Sequence, residues 1–401
     1  MISGYDMGLF FINIGKAWGI IRRDGIVGGG RRVLSYFFRL FQSVRPGDVL
    51  IVTGGVGDSA RYRAHHVAEE LNFHGIRTSV THQDNPFLAK YAARFSIFIF
   101  QRTLFTPRVE KLFTEAKKLG KEVIFETDDL VFDPKYIRET AYYRKMNILE
   151  KKLYEKGVGA EILHDPVVKV CTTTTAYLAD KLREHGKQVF IVPNKLSNQD
   201  MSWIEEITLS SELLSLDFVY LGYFSGTASH DDDFKSITGS LLAVMEARPS
   251  VMLVIAGPLI LDDAFEPFHE RIIRLPFAGR REHFENVSGI DINLAPLVMG
   301  NPFCEAKSEL KFFEAGAFGI PTVAAATRTF REVIADGIDG FVASNPLEWQ
   351  EKLLKLINDE HLRKNIGEHA LTKVMEKYTT ENAQNEEYCQ YLKLTIDRLT
   401  R

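Results

Sequence analysis

Residues 301–326 read NPFCEAKSELKFFEAGAFGIPTVAAA. Ser308 stands where a helix N-cap belongs, and Leu310, Phe313 and Ala317 then recur at i, i+3 and i+7, one face of a helix. Gly319 and Pro321 are stop signals, and Thr322–Ala325 follows as a short buried strand. The stretch is thus a helix feeding a strand. Its helix start, with the backbone N–H groups of Ser308, Glu309 and Leu310 and the ammonium groups of Lys307 and Lys311, suits a diphosphate, because orphan amides and the positive dipole end both favour an anion. Glu314, about a turn and a half further on, offers a carboxylate that accepts two hydrogen bonds from a ribose diol.

The same alternation runs outward from this stretch in both directions. Short apolar strands are expected at Asp48–Thr53, Ile76–Val80, Ser96–Phe100, Glu122–Phe125, Val167–Thr172 and Gln188–Val192, with helical patterns between most of them. The alternation pauses at Pro193-Asn194-Lys195 and a polar stretch to Leu216, a linker with a short helix. It restarts with strands at Phe218–Tyr220, Val251–Ala256, Ile272–Leu275, Ile290–Leu294 and Thr322–Ala325. Continuous apolar strands alternating with helices mean parallel sheets covered on both faces. The spacing predicts an α/β chain with two Rossmann-like, doubly wound domains, 47–200 and 205–379, facing a cleft that suits group transfer. A last helix, 380–401, is expected to pack back on the first domain.

The 401 residues are enough for two such cores without metal or disulfide staples. A net charge of −4 gives no reason to expect nucleic acid as a partner. Cys171, Cys304 and Cys389 are odd in number and far apart, which fits a reducing compartment. No secretory signal and no apolar run long enough for a membrane span is visible, so a cytoplasmic location is expected. Residues 1–46 form a basic segment, in which Arg31–Phe41 reads as a basic, aromatic helix. Such a helix either packs on its own domain or lies on an anionic surface, so residues 9–41 are an expected peripheral contact with the inner face of a membrane.

Glu314-Ala315-Gly316-Ala317-Phe318-Gly319-Ile320-Pro321-Thr322-Val323-Ala324 resembles the E-A-x-A-x-G-x-P-V-V-A signature of retaining GT-B glycosyltransferases, the superfamily of sucrose synthases and bacterial mannosyl- and rhamnosyltransferases. Glu332-Val333-Ile334 and Asp339-Gly340-Phe341-Val342 resemble the segment that follows it there. The resemblance implies a GT-B fold and transfer of a sugar from a nucleotide diphosphate sugar to a glycan or polyprenyl-linked acceptor, as in bacterial surface polysaccharide synthesis, with no metal or other cofactor. It gives Glu314 the nucleotide ribose. The family's preceding glutamate falls on Ala306, a departure from the pattern, and Glu305 and Glu309 flank that position out of register. Residues 221–230, including Gly226 and Thr227, resemble the donor-side loop but lack its Arg and Lys. The charge of the leaving diphosphate therefore falls to Lys307 and Lys311. Ala256-Gly257-Pro258 resembles the turn that flanks the base, or is a plain strand-to-loop turn.

In the first domain Gly55-x-Gly57-x-x-Ala60 fits the dinucleotide fingerprint, although the acid expected at the end of the second strand is missing. The glycines let the loop approach a bound sugar or acceptor closely. Arg61 and Arg63 follow on the helix, either as ligands of an acceptor phosphate or as a solvated face. Asp128 and Asp129, just past a strand end, either contact the donor sugar or acceptor hydroxyl or cap the next helix. Asp231-Asp232-Asp233 reads as helix capping rather than a metal motif, and His65 and His66, adjacent on a helix, point apart. Two other readings stay open: an NAD-dependent oxidoreductase built on Gly55, Gly57 and Ala60, and a GT-B-fold partner protein that has lost turnover, which Ala306 permits.

Overall fold

The computed structural model describes residues 44–55, 57–138, 143–144, 147–148, 151, 154–210, 217–226, 231–383 and 385–401. The expected surface helix Arg31–Phe41, the membrane-contact stretch 9–41 and Thr227 lie outside the described residues. The described residues divide into two compact units: those up to 193 together with 385–401, and those from 194 to 383.

The first unit holds a six-stranded, all-parallel sheet: β1 (Val49–Thr53), β2 (Thr78–His82), β3 (Ile97–Gln101), β4 (Glu122–Glu126), β5 (Val170–Thr173) and β6 (Gln188–Ile191), in the order β2-β1-β3-β4-β5-β6. The order reverses between β1 and β3, so the ligand crevice of an open α/β sheet is expected beyond Thr53 and Gln101. Alternate residues of β1 and β3 face opposite sides, yet both sets are buried, as in a sheet covered on both faces. Ile51, Ile99 and Ile124 meet Ala64, Val67 and Leu71 of the first crossover. The last helix, Glu386–Thr400, adds Tyr388, Cys389 and Leu392 to this same cluster.

The second unit repeats the plan with β7 (Val219–Phe224), β8 (Val251–Ala256), β9 (Ile272–Leu275), β10 (Ile292–Ala295), β11 (Thr322–Ala325) and β12 (Phe341–Ala343). Their order, β12-β11-β10-β7-β8-β9, is again wholly parallel and reverses between β7 and β10. β12 is a strand the sequence reading did not place: three residues are too few to show a period. The stretch read as a linker with a short helix carries the 13-residue helix Asn198–Ser210, whose Asp200, Ile204 and Ile207 are buried. The division therefore falls at residues 193/194 rather than between 200 and 205, and the second unit runs on to 383. Helices Leu310–Gly316 and Glu360–Lys377 meet through small residues. A Cβ on Gly367 would lie 1.8 Å from the Gly319 carbonyl oxygen, and one on Gly316 would lie 2.9 Å from Val374. Gly319 has φ +67, so it serves both as the left-handed helix stop and as the contact that admits Gly367.

Candidate functional site

At the reversal point of the second sheet β7 ends in Phe224 and is followed by Ser225 and Gly226. Gly257, just past β8, has φ +92, and a Cβ there would lie 2.0 Å from the Ser225 carbonyl oxygen. Only glycine fits so close an approach. Gly257→Ala is expected to push Ser225 and Gly226 out of place and to weaken nucleotide-sugar binding at least tenfold, measured by calorimetry with a thermal melt as control. Unchanged affinity would detach this turn from the site.

Lys311 reaches back to the same strand end. Its Nζ donates to the Phe224 carbonyl and stands 4.8 Å from the centre of the Tyr223 ring. Burial pushes the ammonium group down to about 8, against the pull of Glu314 and Asp233. Below that pH Lys311 is a cation at the reversal point, and above it the charge is lost. A bound diphosphate would stabilise the charged form, so affinity for a nucleotide sugar is expected to be constant near pH 7 and to fall as pH rises through about 8. A flat profile to pH 9 would remove Lys311 from the diphosphate.

The helix that carries Lys311, Leu310–Gly316, starts one residue later than expected. Glu309 occupies the N-cap position without a side-chain cap bond, while the Ser308 hydroxyl accepts from Asn194 Nδ2 at 3.1 Å. Ser308 is therefore not the cap. Glu305 accepts from the backbone N–H groups of Gly300 and Arg328, and the buried Glu309 receives the Tyr378 hydroxyl. Both flanking glutamates thus serve local structure, and the Ala306 side chain is buried without a carboxylate.

Glu314 sits one turn along, 4% exposed, in a cluster of charges rather than in hydrocarbon. Arg280 Nη1 donates to its Oε1, and His283 Nε2 lies 3.1 Å from its Oε2. Arg280 also grips the buried Asp200, Nε to Oδ1 at 3.1 Å and Nη2 to Oδ2 at 3.2 Å. His283 meets Phe224 edge-on, with ring centres 5.6 Å apart, which ties the cluster to the end of β7. Asp200, Arg280 and His283 were not singled out from the sequence. Arg280 and His283 are three apart on one helix face, but Gly279-Arg280-Arg281-Glu282-His283 reads as an ordinary solvated helix start. Asp200 lay in the supposed linker.

In the first unit the helical stretch after β1 is not a plain α-helix. Asp58–Ala60 and Val67–Phe73 flank six residues, Arg61–His66, in a wider π turn. The turn carries Arg63 into the core, 1% exposed. Its guanidinium donates from Nε and Nη2 to the two oxygens of Glu126, at 2.8 and 3.0 Å, and from Nη1 to the Val192 carbonyl at 2.6 Å. Burial opposes the charge, and Glu126 more than offsets it, so Arg63 stays protonated. Every guanidinium nitrogen is engaged inside the unit, which corrects the reading of Arg63 as an acceptor ligand. Arg61 is half-exposed and pairs with Asp58.

Asp128 lies past β4 and pairs with Arg102 at 3.2 Å. Burial would raise this carboxyl, but Arg102, the Ser59 hydroxyl and Arg63 hold it below the usual range. It is ionised at neutral pH, a hydrogen-bond acceptor rather than a base. Asp129 caps the turn Leu130–Phe132, accepting from the Leu130 N–H at 2.8 Å. The reversal point of this sheet is closed by Thr53 donating to Gln101 at 2.6 Å and Gln101 donating to Ser59 at 3.0 Å. Arg102 has φ +46, uncommon for a residue with a side chain. Gly54, not Gly55, is the close-approach glycine: a Cβ on it would lie 2.1 Å from the Arg102 carbonyl oxygen. Gly57, with φ +121, supplies a backbone angle reserved for glycine. β2 ends at His82, and Asp84 follows two residues past the strand with its carboxylate 3.5 Å from the His82 ring. In the second unit Asp233 accepts from the Val298 N–H and the Cys304 thiol, a structural use.

Residues 239–386 match the family model described as glycosyl transferase-like. No curated protein matches the chain. Among solved structures, Anabaena HepE in complex with UDP is 14% identical with a TM-score of 0.54, over 88% of this chain and 100% of that one. Sucrose-phosphate synthase from Thermosynechococcus elongatus is 10% identical with a TM-score of 0.55, over 88% and 99%. WaaG, described as a glycosyltransferase involved in lipopolysaccharide biosynthesis, is 14% identical with a TM-score of 0.56, over 86% and 99%. At these identities the likeness is one of fold. With its two parallel six-stranded sheets the chain has the GT-B fold, and the segment that matches the glycosyl transferase-like model lies mostly in its second unit.

Proposed function

We propose that this chain is a glycosyltransferase that takes a sugar from a nucleotide diphosphate sugar held by its second unit. The observation that carries the reading is the pair Lys311 and Glu314. One helix presents a cation to the end of β7 and, three residues on, a carboxylate tethered on both oxygens. An anion beside a diol is the chemistry of a nucleoside diphosphate. The match over residues 239–386 supports this, as does the presence of UDP and UDP-glucose in structures of HepE.

In the reaction an acceptor hydroxyl attacks the anomeric carbon, the bond from that carbon to the diphosphate oxygen breaks, and the charge gathers on the leaving diphosphate. Lys311, with Lys307 nearby in sequence, neutralises that charge, so the chemistry calls for no metal. In a retaining course the leaving phosphate takes the acceptor proton, and no protein base is required. Asp128 and Arg61 are assigned to the acceptor, a glycan or polyprenyl-linked sugar of surface polysaccharide synthesis. The basic segment 1–46 would hold the protein at the inner face of a membrane.

A panel of UDP-, GDP-, dTDP- and ADP-sugars, screened for thermal stabilisation and for release of the nucleoside diphosphate, tests the reading. Stabilisation by at least one donor, with slow hydrolysis or transfer, is expected. Binding without turnover across a broad acceptor panel would favour an inactive partner protein, and no binding at all would end the proposal.

A further inference from the structure

We propose that an exposed basic and aromatic face of the first unit, carried by Phe87, Lys90 and Arg94 and by Arg108 and Lys111, docks on an anionic lipid bilayer. The inference extends the membrane contact proposed above from the basic segment to a folded face, and it does not depend on donor binding.

The chain between β2 and β3 passes through one turn of 3-10 helix, Leu88–Tyr91. Leu88, Tyr91, Ala92 and Phe95 are buried, while Pro86, Phe87, Lys90, Ala93 and Arg94 are exposed. The exposed positions recur every three or four residues, so they share one side of the segment. Phe87 is 40% exposed, with the Lys90 ammonium 5.1 Å from its ring centre. A lone exposed ring is ordinary. A ring set among cations suits a side chain that sinks into the headgroup layer while its neighbours meet the phosphates. The helix Pro107–Lys118 adds Arg108 and Lys111, both exposed and three residues apart. Arg108 Nη1 donates to the Asp84 carbonyl at 2.7 Å, which ties this helix start to the same segment. Among the described residues 83–111 the exposed acid is Glu110, against those four cations. The Val44 N–H donates to the Tyr91 hydroxyl at 3.4 Å, so the 43 residues before it, with six basic side chains against two acids, join the fold at this segment. The segment also borders the reversal point of the first sheet. The Gln83 N–H donates to the Thr53 carbonyl at 2.9 Å, and the Gln83 side-chain oxygen accepts from the Leu104 N–H at 2.8 Å. A bilayer on this face would bring a lipid-linked acceptor to that crevice. A soluble polyanion would match the cations but leave Phe87 without a use.

The experiment is sedimentation of the full chain with vesicles of phosphatidylcholine alone and of phosphatidylcholine with one-third phosphatidylglycerol. Wild type is expected to bind the anionic vesicles at least tenfold more tightly, and less so as salt rises. Each basic side chain at such a surface is worth roughly fivefold, so Lys90→Ala with Arg94→Ala should weaken binding by roughly tenfold or more. Phe87→Ala should weaken it several-fold at low and high salt alike, since its share is apolar burial. The control pair Lys169→Ala with Arg183→Ala removes the same charge beside β5 and β6, at the far edge of the sheet, and should bind like wild type. A thermal melt checks that each variant is folded. Binding that survives the loss of Lys90 and Arg94 unchanged would leave the contact to the basic segment alone and overturn this face. Equal losses in the control pair would reduce the effect to net charge and overturn it too. If dextran sulfate captured the chain as tightly as the vesicles and Phe87→Ala changed nothing, a polyanion would take the place of the bilayer. No binding to either vesicle would remove both membrane contacts while leaving the donor site standing.

Discussion

Glu314→Ala is expected to weaken nucleotide-sugar binding by roughly 100-fold, measured by calorimetry. Two hydrogen bonds to an ionised acceptor, each worth about 1.5–3 kcal/mol, are lost together, and part of the loss is recovered when water enters the space. Stability should suffer less than affinity, because Arg280 keeps its two bonds to Asp200 and is not left as a lone buried charge. Glu314→Gln separates charge from shape. Its amide retains one accepting oxygen but sets an N–H₂ group against a donor, either Arg280 or His283. It too should bind poorly while melting close to wild type. Wild-type affinity in both variants would remove Glu314 from the ligand.

Arg63→Ala should destabilise the first unit by about 3–5 kcal/mol, since it leaves the buried Glu126 carboxyl, which burial already pushes upward, without the partner that offsets that burial. For a unit of this size that lowers its melting temperature by roughly 10 °C or more. Lysine should not rescue it, because Arg63 spans both Glu126 oxygens and the Val192 carbonyl with a planar fork that a single ammonium group cannot copy. The double variant Arg63→Met with Glu126→Leu removes both charges at similar volume. It is expected to be more stable than Arg63→Ala alone, as tested by thermal and denaturant melts. If Arg63→Ala melted with wild type, the buried pair would be irrelevant to the fold.

Both consequences show where sequence reading reaches and where it stops. The fold was legible because β1, β3 and β4 are unbroken apolar runs and each is followed by a helical pattern, a signal carried by neighbours in sequence. The placement of Lys311 and Glu314 on one helix was legible for the same reason, since three residues along a helix fix their relation. Arg63 was misread. An arginine on the helix after a glycine loop usually faces water, and nothing local announces a π turn or the distant Glu126 that draws it inward. Asp200 and Arg280 are 80 residues apart, and only the folded second unit joins them to Glu314. Gly54 and Gly57 show the limit for glycines: the motif marks the loop, but which position needs the missing side chain depends on where Arg102 passes.

The central claim is that the Glu314 carboxylate, tethered by Arg280 and His283, receives the ribose of a nucleoside diphosphate whose phosphates lie against Lys311. A crystal structure of the chain with its preferred nucleoside diphosphate tests this directly. The account predicts both ribose hydroxyls within about 3 Å of the two Glu314 oxygens. A nucleotide bound elsewhere, or with its ribose turned from Glu314, would contradict it.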